Sequence, residues 1–260
     1  MKMTGNTILI TGGGSGIGRG LAEAFHKLGN QVIISGRRKH VLDVVTAANL
    51  GMQSAVFDIK DLGKIQTFAA EIADQYPSLN VLIKNAGIMK RENLRDSSEN
   101  LGDVEEIVAT NLLGPIHLTA ALLPLLKKQN SATVMMVSSG LAFVPLAITP
   151  TYCATKAAIH SYAQSLRYQL KKASVEVLEL VPPYVATELL GPRQANDPRA
   201  MPLAEYITEV MQILETQPQE EEICVKRVYP LRLAAEGGRA KYEEMFQGLN
   251  RSVFSAASAG

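Results

Sequence analysis

The stretch "ILITGGGSGIGRG", Ile8–Gly20, decides the fold. An apolar run rich in β-branched residues ends in a cluster of glycines. After Gly16 an amphipathic helical pattern continues through "LAEAFHKLG" to Gly29, a fitting C-cap. Glycines at such a strand-to-helix turn let the backbone come close to a bound anion. The free N–H groups and dipole of the helix start then stabilise a pyrophosphate. The general dinucleotide fingerprint G-x-G-x-x-G fits no register of these glycines. What fits is T-G-x-x-x-G-x-G, read as Thr11, Gly12, Gly16 and Gly18. On its own the segment is also compatible with a flexible turn in an α/β protein.

The same strand–helix rhythm continues outward from this turn. Strand candidates "QVIIS", "SAVFD", "NVLIKNAG", "ATVMMVSS" and "VEVLELVPP" follow "NTILI". Helical stretches around Val41–Asn49, Leu62–Gln75 and Gly102–Lys127, and one carrying Tyr152, lie between them. The strands are continuous apolar runs, as expected when helices cover both faces. The alternation predicts an α/β fold: a single-domain, Rossmann-type, doubly wound parallel sheet flanked by helices, spanning 1–250. After Pro183 the rhythm breaks into a Gly-, Pro- and Asn-rich segment, read as a substrate lid over about 183–202. A helix at Leu203–Thr216, a short strand "ICV" and a helix near Arg239–Leu249 follow, and the small, polar 251–260 tail is expected to be disordered.

Bulk properties exclude several classes. The chain has 260 residues, 47% apolar and 20% charged, with a formal net charge of +1. That balance gives no general attraction to nucleic acid or an anionic membrane surface. Cys153 and Cys224 make neither a disulfide framework nor a metal-ligand pattern, so no metal is expected and a reducing cytoplasm fits. The longest apolar region is broken by Ser138, Ser139, Gly140 and Pro145 and reads as a strand plus loop.

In "TPTYCATKAAIHSY", residues 149–162, Tyr152 and Lys156 stand four positions apart at a helix start, on one face. Further motifs stand in order: "NAG" at Asn85–Gly87, Asn111, the Ser138–Ser139 pair, and "PPYVAT" from Pro182 to Thr187. Together with the glycine loop, from about Thr7 to Thr187, the chain resembles the short-chain dehydrogenase/reductase family. The C-terminal third looks closer to a bacterial branch of oxidoreductases, some named after D-alanine-transfer operons.

The resemblance implies hydride transfer between a nicotinamide and a carbonyl or alcohol carbon. Tyr152 would give or take the proton on the substrate oxygen, Ser139 would hold that oxygen with Ser138 as the fallback, and Lys156 would also meet the cofactor ribose. Asn111 would anchor a water joining Lys156 to solvent. A phenol is a poor acid–base group at its ordinary pKa of about 10. A cation at about 5 Å, with an effective dielectric near 20, favours the phenolate by on the order of 3 kcal/mol. The resemblance places cofactor contacts at Thr11, Gly12, Gly14, Ser15, Gly16, Ile17 and Gly18, at Asn85, Ala86 and Gly87, and at Pro182, Val185 and Thr187. Asp58 would meet the adenine edge with Ile59 beside it, although Asp58 also reads as a turn residue ahead of a helix.

The second strand ends in Gly36, Arg37 and Arg38, where an enzyme that selects NAD normally has an acidic residue. A guanidinium there suits the 2′-phosphate of NADP, so NADP(H) is expected before NAD(H), with Arg37 the nearer group. Two departures stand out. Lys84 replaces the usual Asn before "NAG" and is expected to snorkel to water or to alter hydrogen bonding behind the cofactor. Pro183 replaces the usual Gly and stiffens the lid entry.

Phe143, Val144, Leu146, Tyr184, Leu189, Leu190 and residues near Ile88–Asn93 are expected to form a largely apolar substrate pocket, with Arg193 and Arg199 near any acidic group. The partner expected is a small-molecule carbonyl or alcohol. Relatives' habits imply a homodimer or homotetramer through the Gly102–Lys127 and Tyr152–Lys172 helices. Two rival classes are a catalytically silent NADP-binding regulator and an epimerase or dehydratase of the extended branch.

Overall fold

The computed structural model describes residues 1–94 and 101–257, the last six as backbone only. In chain order the elements are β1 (Thr7–Thr11), α1 (Gly16–Lys27), β2 (Gln31–Gly36), α2 (Lys39–Ala48), β3 (Gln53–Val56), α3 (Ile65–Gln75) and β4 (Val81–Lys84). Next come α4 (Leu101–Val108), α5 (Gly114–Leu126), β5 (Ala132–Val137), α6 (Pro150–Leu170) and β6 (Val175–Val181). The last part holds α7 (Pro192–Ala195), α8 (Leu203–Thr216), β7 (Glu222–Cys224), α9 (Tyr229–Arg232) and α10 (Arg239–Ala257).

All seven strands pair in parallel, in the order β3-β2-β1-β4-β5-β6-β7. Successive side chains of a strand point to opposite faces, and β1 shows this directly. Ile8 and Ile10 enter the core under α1 and α8, with Phe25 and Tyr206, whereas Leu9 enters the core under α3, α5 and α6, with Leu118, Ile159 and Leu166. Both faces of β1, β4 and β5 are therefore buried, which is why their sequences lack alternation. The order reverses between β1 and β4, and the crevice at the carboxyl ends of the strands opens there.

Two elements differ from the sequence expectation. The helix expected at Gly102–Lys127 contains a π-helical turn at Ala109–Leu113, joining α4 to α5 without a break. Gly114 lies so close to the loop after β3 that a Cβ there would stand 2.3 Å from the Ile59 carbonyl oxygen. The second difference is α10, which runs on to Ala257, so residues 251–257 are helical, and 258–260 lie outside the described residues. Between Arg251 and Ala257 there is neither Gly nor Pro to stop a helix already begun.

The run Leu101–Leu126 is long and apolar enough to cross a membrane. In this fold Leu118, Leu122 and Leu126 are packed in the core beside α3 and the sheet.

Candidate active site

At the reversal point lies a cavity of about 510 Å³. The glycine turn supplies one wall: Thr11, Gly12, Gly14, Ser15, Gly16 and Ile17. Arg37 and Arg38 follow β2, Asp58 and Ile59 follow β3, and Asn85, Ala86 and Gly87 follow β4. Ser138 and Ser139 after β5, Tyr152 and Lys156 from α6, and Pro182, Val185 and Thr187 after β6 close the other side. Gly18 and Asn111 are not in the lining.

Gly18 sits beneath the turn. A Cβ there would lie 2.3 Å from both the Gly12 carbonyl oxygen and Asn85 Nδ2, so only glycine lets α1 pack this closely. Gly12 has φ of +68°, and its own Cβ would meet Ala86 Cα at 2.8 Å. Hydrogen bonds lock the β1 and β4 turns together. The Asn85 and Ala86 N–H groups both donate to Thr11 Oγ1 at 3.1 Å, and Asn85 Nδ2 donates to the Thr11 and Gly12 carbonyls at 3.2 Å. At the start of α1, Ser15 makes no side-chain cap and the first turn has no acidic residue. Gly16 and Ile17 of that turn line the cavity, and the turn holds no carboxylate to compete for its free N–H groups.

At the far end Arg37 stands 3.8 Å from Glu106, which also accepts from Lys60 at 2.8 Å and Lys90 at 2.7 Å. Those two hydrogen bonds hold the Glu106 carboxyl down at about 2. Asp58 stands in the cavity wall and also serves the turn. It lines the cavity, and its Oδ1 accepts the Lys60 N–H at 3.2 Å within the turn.

Tyr152 and Lys156 are each only 5% exposed. Lys156 Nζ donates to the Val137 carbonyl at 2.8 Å and lies 5.5 Å from the centre of the Tyr152 ring. Burial pushes Lys156 down to about 8, against the opposing charge of Glu179. Burial also pushes the Tyr152 phenol well above its ordinary range, and a hydrogen bond with Ser139 opposes this only in part. The lowered phenol expected from the sequence is therefore not found in the protein alone. Desolvation of both groups outweighs the attraction between them.

The Asn111 side chain ties the loop after β4 to α6. Its side chain accepts the Ile88 N–H at 2.9 Å and donates to the Ile88 carbonyl at 2.8 Å and to Thr155 Oγ1 at 3.3 Å. The π turn aims it there, toward the loop after β4.

Lys84 does not snorkel. It is 4% exposed, donates to Thr119 Oγ1, and lies 5.5 Å from the Tyr162 ring centre. Burial holds its amine well below the usual lysine range. It faces α5 and α6, away from the cavity.

Of the expected apolar pocket residues, Ile88, Met89 and Leu189 line the cavity. Phe143 instead packs edge-on against His160 at 4.6 Å and under Arg232 at 4.8 Å, and Val144 is buried completely. Arg199 is spent on Asp197, with Nη2 at 2.8 Å. Two buried acids escaped the sequence reading. Glu179, inside the strand "VEVLELV", accepts from or shares a proton with His160 Nδ1 at 2.8 Å, and its placement in an apolar run was the only signal. Glu92 is 8% exposed and binds Thr151, a long-range pairing with no sequence signal.

Residues 6–198 match the short chain dehydrogenase family. The chain belongs to that family. It is 40% identical over 253 residues to "Uncharacterized oxidoreductase DltE" of Bacillus subtilis (strain 168), a match covering 96% of this chain and 98% of that protein. It is 32% identical over 192 residues to dehydrogenase/reductase SDR family member 7B of Bos taurus, covering 70% of this chain and 58% of the relative. Among solved structures, a short-chain dehydrogenase from Streptomyces avermitilis superposes with a TM-score of 0.78 at 26% identity, covering 94% and 97% of the two chains. A Burkholderia cenocepacia short-chain dehydrogenase in complex with NADP shares the fold at a TM-score of 0.81 and 21% identity, covering 95% and 99%. The family carries oxidoreductases that use a nicotinamide dinucleotide, and its α/β fold is the one described above.

Proposed function

We propose that the protein is an NADP(H)-dependent oxidoreductase acting on a carbonyl or alcohol substrate, with Tyr152 as general acid–base. The buried Tyr152–Lys156 pair in the cavity wall, with Ser139 lining the same wall, carries this reading. The donor set of the cavity suits a dinucleotide: side-chain-free glycines in the turn, uncapped first-turn N–H groups of α1, and Arg37 and Arg38 after β2. When bound, the nicotinamide supplies the hydride donor or acceptor.

The remaining work falls to the chain. The Ser139 and Tyr152 hydroxyls hold the substrate oxygen. Tyr152 Oη gives that oxygen a proton in reduction and takes one in oxidation. A phenol kept protonated by burial is the form that donates to the substrate oxygen in the reductive half. Lys156, close to its own titration point, accepts or returns charge as the phenol changes state. Ile88, Met89 and Leu189 give the substrate end an apolar lining.

Gly36 followed by two arginines supports NADP over NAD. One or two charge-assisted bonds of about 1.5–3 kcal/mol each correspond to roughly tenfold to several-hundredfold preference. A homodimer or homotetramer is proposed through the α4–α5 and α6 surface, where Leu101 and Tyr168 are 69% and 72% exposed. The two free, buried cysteines suit a reducing cytoplasm.

The test is a panel of aldehydes, ketones and secondary alcohols followed by nicotinamide absorbance, with NADPH and NADH in parallel. Tyr152→Phe is expected to lower turnover by at least about 100-fold while NADPH still binds. Retained turnover in that variant, or higher efficiency with NADH, overturns the corresponding half of the proposal.

A further inference from the structure

We propose that Glu92 is a positioning residue for Tyr152: a carboxylate supplied by the loop after β4 that caps the first turn of α6 and fixes the phenol's helix against the substrate side of the cavity. The inference rests on the catalytic reading of Tyr152 given above.

The first turn of α6 needs an outside partner. Thr149 at its N-cap makes no side-chain cap, and Pro150 brings no N–H. The Thr151 N–H is thus the first donor of the helix, and a helix start leaves such donors without intrahelical partners. Glu92 meets it from a segment 59 residues away: Oε1 accepts the Thr151 N–H at 3.0 Å and Oε2 accepts Thr151 Oγ1 at 2.6 Å. The Glu92 N–H in turn donates to the Ile148 carbonyl at 2.9 Å. Both carboxylate oxygens of a side chain that is only 8% exposed are committed to one residue, the neighbour of Tyr152.

The other side of Tyr152 is pinned as well. Thr155 Oγ1 donates to the Tyr152 carbonyl at 2.7 Å and accepts from Asn111, which holds both polar groups of the Ile88 peptide. The strap 88–92 is therefore tied at Ile88 to the π turn and at Glu92 to α6. Between these ties Ile88, Met89 and Lys90 line the cavity. The strap and the tyrosine helix are thereby joined by hydrogen bonds at both ends, and in this reading Glu92 sets the distance from the phenol to a substrate lying on the strap.

Hydrogen exchange of the intact protein tests the tie without any substrate. Glu92→Ala is expected to speed amide exchange in the 149–156 segment by at least about tenfold, while α1 and the sheet stay protected. With NADPH and benzaldehyde as probe, its kcat is expected to fall about 10–100-fold with the KM for NADPH unchanged, because loose placement of a reacting group costs rate. Glu92→Gln keeps an acceptor oxygen for Thr151 and recovers most of the loss. Adding Thr151→Val to Glu92→Ala changes kcat no further. A lower melting temperature with wild-type kcat per folded molecule, or unchanged exchange at 149–156, overturns the proposal. If Tyr152→Phe is inactive while Glu92→Ala is fully active, only the role of Glu92 fails. If Tyr152→Phe stays active, the catalytic reading beneath it fails.

Discussion

The Lys156 ammonium lies 5.5 Å from the centre of the Tyr152 ring, yet its hydrogen bond goes to the Val137 carbonyl, at 2.8 Å. The lysine is thus fixed by the sheet and not by the phenol it accompanies. Two buried titratable groups held this way each favour the neutral form, and the strand tip sets the spacing between them.

This arrangement makes stability depend on pH. Lys156 is lowered from 10.5 to about 8 in the folded protein. Below that range folding buries an ammonium that the unfolded chain keeps in water. Between the two values the unfolded chain binds the proton that the native state has lost, so stability rises with pH across that window. Lys156→Met removes this residue's share of the dependence, leaving that of buried Lys84, and is expected to raise stability near neutral pH by about 2 kcal/mol, after allowing for the lost bond to Val137. Urea midpoints near pH 7 and pH 9 check this, and a midpoint below wild type near neutrality contradicts it.

Gly18→Ala should cost both folding and cofactor affinity. Its Cβ would sit 2.3 Å from a backbone oxygen of the glycine turn and from the Asn85 amide. Overpacking of this kind costs about 1–3 kcal/mol or more, and it moves the turn itself. Thermal melting and NADPH fluorescence titration should both register the change, whereas Gly29→Ala, where a Cβ meets nothing within 4 Å, leaves NADPH binding intact.

Arg37→Ala is expected to weaken NADPH binding by about 10–100-fold and NADH binding by less than threefold. Arg38→Ala should have the smaller effect. Titration of each variant with both cofactors separates the two arginines, and equal losses for NADPH and NADH would remove Arg37 from the role of selecting the phosphate.

Asn111→Ala leaves the Ile88 N–H and carbonyl without their partners. Each partly buried group so orphaned costs about 1–3 kcal/mol. A loss of roughly 2–4 kcal/mol in denaturant unfolding is expected, together with faster amide exchange around Ile88. An unchanged midpoint would mean that the loop finds other partners.

The sheet was legible because the cores of β1, β4 and β5 are unbroken apolar runs, and the glycine turn and the Tyr152–Lys156 pair because their geometry is local. What escaped depends on distant partners. The resemblance picks out Asn111, but its grip on Ile88, 23 residues away, shows only once a π turn is formed there. Lys84 looks like a strand-end residue free to reach water. As the last residue of β4 it lies between Thr11 and Met136 in the sheet, and its side chain ends at Thr119 under α5. Phe143 reads as pocket lining but is drawn off by Arg232 and His160, and Glu92 gives no local sign of its bond to Thr151. At Tyr152 and Lys156 the spacing is local, but the dehydration of both groups depends on the whole fold.

The irregular turn at Ala109–Leu113 has an evolutionary side. Loss of a single codon there would give a straighter rod with better internal bonding, since a π turn accommodates one residue more than the α turn it interrupts. Every later position would then swing by about 100° relative to those before it, and the amide that grips Ile88 would face elsewhere. The flaw in the rod is what keeps the loop in place, so descendants of this sequence should keep Asn111 and the length of this stretch while exchanging its other residues more freely.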